Sequence, residues 1–324
     1  MKKEVLLSIE NLVVEYRLRK RIVHAVNGAT LSIHKGETLA LVGETGAGKT
    51  TIAKAIMRIL QTPPASIASG SIKFNGKDLL SLSEDEMREV RGGEIAMIFQ
   101  DPMTALNPLM TVGEQIMEAL RLHRDFSDDE VEEEACKILE TVGIVRSRFY
   151  EYPHQFSGGM KQRVVIAIAL VCNPILLLAD EPTTALDVTI QAQVLDLINN
   201  LKEQFNTSML LITHDLGVVG EMSDDVAVIY AGKIVEYGSK RDIFKNPSHP
   251  YTIGLFNSLP SMNVDVKRLT PIAGSMPDPS NLPEGCSVHP RCPYATEKCR
   301  SGEVPAFEIT QGHFCACYHS KEDK

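Results

Sequence analysis

Residues 43–50 read Gly43-Glu44-Thr45-Gly46-Ala47-Gly48-Lys49-Thr50, which fits the Gly-x-x-x-x-Gly-Lys-Ser/Thr pattern of a phosphate loop. Glycines let the backbone curl until several N–H groups converge on phosphate oxygens, and the helix that follows turns its positive end toward them. Lys49 would reach the β and γ phosphates of a nucleoside triphosphate, and the Thr50 hydroxyl would hold magnesium. Such a loop needs a strand before it and a helix after it. Residues 37–42 supply a short apolar run and residues 50–60 a helical period, so both flanks are met.

Further out, residues 5–16 and 25–33 alternate as strands, residues 71–75 and 94–99 read as further strands, and residues 111–123, 127–142 and 158–171 read as helices. A strand over 175–179, a helix over 188–204, a strand over 208–213 and a hairpin over 226–237 follow, the hairpin turning at Ala231-Gly232-Lys233. Strands alternating with helices imply an α/β fold whose parallel sheet is covered on both faces. Beyond Lys240 ten prolines, from Pro247 to Pro305, leave little room for long regular elements. Two unequal parts are expected, residues 1–240 and 241–324.

With 44% hydrophobic and 23% charged residues, the composition is that of an ordinary globular protein. The net charge of −9 argues against extended nucleic-acid binding, whose affinity is carried by clustered Lys and Arg. The one dense basic stretch, Arg17 to Arg21, is expected to be a solvated loop between two strands. The longest apolar run, residues 164–172, is about half the length of a membrane span, so no crossing is expected. Met1-Lys2-Lys3-Glu4 leads into an alternating strand rather than an unbroken apolar segment. A secretory signal is therefore not expected; a cytoplasmic location, with reduced thiols, is.

Ile175-Leu176-Leu177-Leu178-Ala179-Asp180-Glu181 reads as a buried strand ending in two carboxylates, Asp180 suited to magnesium and Glu181 to polarising an attacking water. Ser157-Gly158-Gly159-Met160-Lys161-Gln162-Arg163 opens a helix, so Ser157 and the N–H groups of Gly158 and Gly159 form a second anion-binding end, or simply a cap. With these segments the chain resembles the ATP-binding subunits of ATP-binding cassette (ABC) transporters. The stretch from Ser157 to Arg163 matches that family's signature, and Gln100 in Ile98-Phe99-Gln100-Asp101 its Q-loop. Ala185-Leu186-Asp187 matches its D-loop, His214 its switch histidine, and Tyr16 the ring it places against adenine.

The resemblance implies a phosphate-loop ATPase with a RecA-like parallel sheet core, an antiparallel β subdomain, a helical subdomain at about residues 101–165 and a Pro/Cys-rich C-terminal extension. It implies catalytic roles for Lys49, Gln100, Glu181 and His214, and magnesium on Thr50, Gln100 and Asp180. Nucleotide contacts are implied at Tyr16, the loop from Gly43 through Thr50 and Thr51, Gln100, Ser157, Gly158, Gly159, Gln162, Asp180, Asp187 and His214. It implies further that two subunits close around two ATP molecules, Ser157 facing a γ-phosphate held by the other subunit's loop, and open once phosphate leaves.

Between Lys49 and Ser157 there is room for one helical subdomain but not for the long coiled coil of DNA-repair ATPases, and only one cassette is present. No membrane domain is fused, as in bacterial importers built from separate subunits. Phe99-Gln100-Asp101-Pro102-Met103-Thr104-Ala105-Leu106-Asn107-Pro108, His249-Pro250-Tyr251-Thr252 and Ser258-Leu259-Pro260 resemble the dipeptide and oligopeptide importers, and most closely their first, D-type ATPase subunit. The implied partners are two transmembrane permease subunits, a second homologous ATPase or a second copy, and indirectly an extracytoplasmic substrate-binding protein. The implied location is the cytoplasmic face of the membrane. Nickel and opine importers share much of this text, and a soluble regulatory ATPase with an iron- or redox-sensing cysteine site is the reading from another class.

Of seven cysteines, Cys286, Cys292, Cys299, Cys315 and Cys317 cluster near the end, while Cys136 and Cys172 read as small buried residues on helices. Four thiolates suit zinc, with His289 or His313 able to join, although paired Cys-x-x-Cys knuckles are missing. They suit an iron–sulfur cluster as well, and free thiols in a loop are the plainer reading. The peptide-importer resemblance implies a [4Fe-4S] cluster on Cys286, Cys292, Cys299 and Cys317, with Cys315 outside the pattern. A segment poor in core would gain from such a staple.

Overall fold

A computed structural model describes residues 4–184, 186–258 and 272–322. Its strands are β1 (Val5–Leu18), β2 (Arg21–His34), β3 (Thr38–Val42), β4 (Ala65–Phe74), β5 (Lys77–Asp78), β6 (Ile95–Ile98), β7 (Leu176–Asp180), β8 (Ser208–Thr213), β9 (Asp225–Tyr230), β10 (Lys233–Ser239), β11 (Phe307–Thr310) and β12 (His313–Cys315). The helices are α1 (Lys49–Ile56), α2 (Glu84–Gly93), α3 (Pro102–Ala105), α4 (Val112–His123), α5 (Asp128–Thr141), α6 (Gly158–Leu170), α7 (Val188–Phe205), α8 (Leu216–Met222), α9 (Lys240–Lys245), α10 (Pro250–Asn257) and α11 (His319–Glu322). The described residues divide into two compact units: those within Ser81–Ile212, with His34–Glu37 and Glu4, and those within Val5–Ile33, Thr38–Leu80 and Thr213–Lys324.

In the first unit β6, β7 and β8 run parallel, with Ile95 opposite Leu176 and Leu176 opposite Ser208. Every residue of these three strands is buried, as parallel strands covered on both faces require. Helix α4 packs on α5, and α6 packs on α3, α4, α7 and β6. The helix starts are written in the sequence: Thr111 and Glu114, and Ser127 and Glu130, form capping boxes whose Glu accepts from the cap residue's own N–H. Helix α2, which periodicity did not reveal, carries the same device in Ser83 and Glu86 but buries only Met87 and Val90.

The second unit holds an antiparallel sheet in the order β2-β1-β4-β5 and a further run β11-β12-β10-β9-β3, in which β3 pairs with β9 in parallel. The basic stretch is solvent-exposed as expected, but only Arg19 and Lys20 form the turn: Arg17 and Leu18 end β1, and Arg21 opens β2. Strand β4 begins earlier than the period-2 reading placed it, because Gly70, at φ +99°, lies against the Asn11 carbonyl where β1 bulges between Glu10 and Val13.

The segment beyond Lys240 is more regular than its prolines imply. It forms α9, α10 and the β11–β12 hairpin, which extends the sheet by pairing Cys315 with Glu236 of β10. Tyr251 and Val288 join a core with Ala40, Val42, Val226 and Val228, against which Cys286 and Cys292 pack. Contacts therefore group these residues with β3, β9 and β10. Ser258 is described, whereas its neighbours Leu259 and Pro260 lie outside the described residues, as does Ala185.

Candidate nucleotide site and cysteine cluster

The phosphate loop lies between β3 and α1 in the second unit, as the motif demands. Its lysine closes the curl: Lys49, 5% exposed, donates from Nζ to the Gly43 carbonyl at 2.7 Å and to that of Glu44 at 3.1 Å. Two glycines are dictated by neighbours. A Cβ on Gly43 would stand 2.2 Å from the Ile229 carbonyl, and one on Gly48, which caps α1 at φ +104°, would stand 2.4 Å from that of Ala25. Thr45 and Gly46 are exposed at the crest, Ala47 is buried, and Thr50 and Thr51 are half-buried on the first turn of α1. Tyr16 is half-buried in β1, and His214 is exposed just beyond β8.

The first unit carries the carboxylates. Asp180, 2% exposed, ends β7. Glu181 follows with its backbone in the left-handed region at φ +47°, an uncommon state for a residue with a side chain, held by its N–H donating to the Ile212 carbonyl at 2.8 Å. Its carboxylate accepts from Gln100 Nε2 at 2.8 Å and from the Thr184 hydroxyl at 3.0 Å. The structure thus brings together Gln100 and Glu181, which the sequence separates by 81 positions. Thr184 gave no sequence signal.

Ser157 caps α6 by accepting from the Met160 N–H, and both Ser157 and Gly158 are exposed. A Cβ on Gly159 would come within 2.8 Å of Ile190. Gln162 faces inward at 1% exposure, away from the exposed end that Ser157 and Gly158 present. The turn before α7 is pinned by Gln191 Nε2, which donates to the carbonyls of Thr183 and Leu186 and leaves Asp187 exposed at the N-cap.

The cysteine segment is built by close backbone approach. Cys286 N–H donates to the Cys299 carbonyl at 2.9 Å, and Gly285, at φ +74°, is required because a Cβ there would stand 2.4 Å from that same oxygen. Burial raises the Cys286 thiol, and Cys299, Cys317 and Cys292 all lie within electrostatic reach of it. Cys315 is fully buried in β12, its thiol pushed far up by burial, with the Glu236 carboxylate adding to the rise.

These sulfurs do not form a closed metal site: among the described residues, no three cysteine ligand atoms lie within 4.8 Å of one another. His313 is committed elsewhere, its Nε2 2.8 Å from Glu236 with both side chains buried. Cys136 and Cys172 are buried, their thiols raised by burial, as small core residues should be.

A clasped phosphate loop, a buried strand ending in Asp180 and Glu181, and a serine-capped Gly-Gly helix start define an ATPase of the ATP-binding cassette class. The family described as "ABC transporter" matches residues 26–184, and that described as "Oligopeptide/dipeptide transporter, C-terminal region" matches residues 235–299. The chain is 48% identical to the oligopeptide transport ATP-binding protein AppD of Bacillus subtilis, over 98% of both chains. It is 48% identical to OppD of Escherichia coli, over 99% of this chain and 95% of that one, and 50% identical to the dipeptide transport ATP-binding protein DppD of Bacillus subtilis, over 90% and 87%. A dimeric post-hydrolysis state of the cassette MJ0796, bound to ADP and Pi, aligns at TM-score 0.65 and 26% identity, over 72% of this chain and 99% of that one. This chain belongs to the oligopeptide/dipeptide family of ABC transporter ATP-binding proteins. Among the described residues no helix is long and apolar enough to cross a membrane.

Proposed function

We propose that this chain hydrolyses ATP to power import of dipeptides or oligopeptides through two transmembrane permease subunits, as one half of a nucleotide-sandwich dimer formed with a homologous ATPase or a second copy. The observation that carries this reading is likeness to peptide-transport ATPases over nearly the whole chain, extension included. It favours peptide over nickel or opine cargo and over a free-standing regulatory ATPase. The chain then works on the cytoplasmic face of the membrane, with residues 1–240 as the nucleotide-binding part, 241–324 as the extension, and a substrate-binding protein delivering cargo.

In this reading the loop from Gly43 to Thr51 cradles the phosphates, Tyr16 stacks on adenine, and Lys49 neutralises the β and γ oxygens. Thr50, Gln100 and Asp180 offer hydroxyl, amide and carboxylate oxygens, the donor set magnesium prefers; bound there, the ion would offset charge on the phosphates. Glu181 aligns the attacking water, His214 senses the γ-phosphate, and Asp187 with Ser157, Gly158 and Gly159 addresses the partner's nucleotide. A contact from Gln162 would need that buried side chain to turn outward.

The extension is proposed to hold a [4Fe-4S] cluster on Cys286, Cys292, Cys299 and Cys317. Support comes from the donor set: Cys286, Cys292, Cys299 and Cys317 all lie within electrostatic reach of one another, and Cys315 neighbours Cys286 and Cys317 from its buried place in β12. Co-purification from native membranes tests the assembly. Two polytopic membrane proteins and a second ATPase should accompany this chain, and recovery of the chain alone under mild detergent would count against it.

A further inference from the structure

Glu44 presents a problem that the phosphate-loop motif does not solve. It puts a carboxylate into a loop that gathers a polyanion, where like charges repel. The side chain is 30% exposed, so water screens it only in part. Its partner comes from the far end of the chain. Arg291 Nη1 donates to Glu44 Oε1 at 2.9 Å and to Oε2 at 3.2 Å, and the Arg291 side chain is only 6% exposed.

The guanidinium is fixed from other sides as well. Nε donates to the Ala273 carbonyl at 2.8 Å, Nη2 to that of Ile272 at 3.4 Å, and the group lies 5.8 Å from the Tyr230 ring centroid. A cation held in this way needs little reorganisation to meet its carboxylate. Two further contacts join the same loop to the extension: the Glu44 N–H donates to the Tyr251 hydroxyl at 3.1 Å, and Met276 Cε stands 3.3 Å from where a Cβ on Gly46 would lie.

We propose that Arg291 is a positioning residue for nucleotide binding: it neutralises Glu44 and holds the phosphate loop in a form that accepts a polyanion, so the C-terminal extension tunes ATP affinity from within the same chain. This goes beyond peptide import, since it concerns nucleotide binding by the isolated chain and holds for any cargo.

The test is a charge cycle on the full-length chain, with Kd measured calorimetrically for AMP, ADP and ATP at fixed salt. Arg291→Ala should weaken ATP by about ten-fold and AMP by much less, because the penalty grows with phosphate charge. Arg291→Lys should recover part of the loss. On a Glu44→Gln background, whatever the affinity of that loop variant, adding Arg291→Ala should change the Kd for ATP by no more than about two-fold. A purely structural arginine would give an equal loss for all three nucleotides and no rescue by Glu44→Gln, and either result overturns the proposal. If Arg291→Ala does not fold, Arg291→Gln carries the same comparison, and a loss of ATP affinity on the Glu44→Gln background as large as on the parental one contradicts the charge argument.

Discussion

Gln100 Nε2 lies 2.8 Å from Glu181 Oε2, joining a residue two positions past the end of β6 to the residue after β7. The contact holds the carboxylate at the end of a buried strand, next in sequence to Asp180. Glu181→Gln should therefore remove steady-state ATP hydrolysis, by at least about 100-fold, with ATP affinity retained because Asp180 and Lys49 are untouched. Turnover measured beside a binding isotherm checks this, and near-parental turnover would remove Glu181 from its role.

Lys49→Ala should fail one step earlier. Its ammonium is the buried cation of the loop and is already bound to the Gly43 and Glu44 carbonyls, so its loss should weaken ATP by at least about ten-fold and also loosen the curl. A binding isotherm separates this from the Glu181→Gln phenotype.

Much of this site was legible because its determinants are local. The residue types from Gly43 to Thr50 need only a strand and a helix beside them, and Asp180-Glu181 needs only the apolar run before it. What escaped was long-range. Nothing near Arg291 points to Glu44, 247 positions away, and nothing in the stretch around Tyr251 marks its hydroxyl as a partner of the loop. Helix α2 was hidden because two buried residues make a thin apolar stripe. The hairpin β11–β12 was hidden because its strands are short and its partner strand β10 lies far back in the sequence.

The extension should loosen in acid. His249 caps α10 through Nδ1 and is fully enclosed, and burial lowers its pKa to about 4 despite the Glu236 charge. Unfolded chain takes up that proton near pH 6.5, so stability is full above this value and falls as pH drops toward 4. Burial alone would raise the Glu236 carboxyl, but bonds from His313 and the Ser248 and His249 N–H groups bring it below the usual range, so its contribution too is lost on acidification. With the intrinsic pH dependence of amide exchange divided out, protection over residues 250–258 and 272–322 should fall between pH 6.5 and 4, and His249→Asn, which keeps a cap without a titrating ring, should blunt the change. His313→Ala should loosen the hairpin at neutral pH by about 3 kcal/mol, leaving a buried carboxylate without its main partner.

Anaerobically purified protein should carry iron and acid-labile sulfide in equal amounts, about four of each per chain. Serine at Cys286, Cys292, Cys299 or Cys317 should bleach it. Cys315→Ser should retain the colour, since that thiol is enclosed in β12. Iron and sulfide assays decide, and stoichiometric zinc without sulfide would contradict the cluster.

The central claim, that ATP hydrolysis on this chain drives peptide import, is tested most directly in proteoliposomes containing the native permease, its ATPase partner and the substrate-binding protein. ATP-dependent accumulation of a labelled tripeptide is measured with parental chain and with Glu181→Gln. The account predicts uptake with the parental chain, outcompeted by unlabelled peptide but not by nickel, and uptake at background with Glu181→Gln. Undiminished uptake with Glu181→Gln, or ATP turnover without any peptide accumulation, would contradict it.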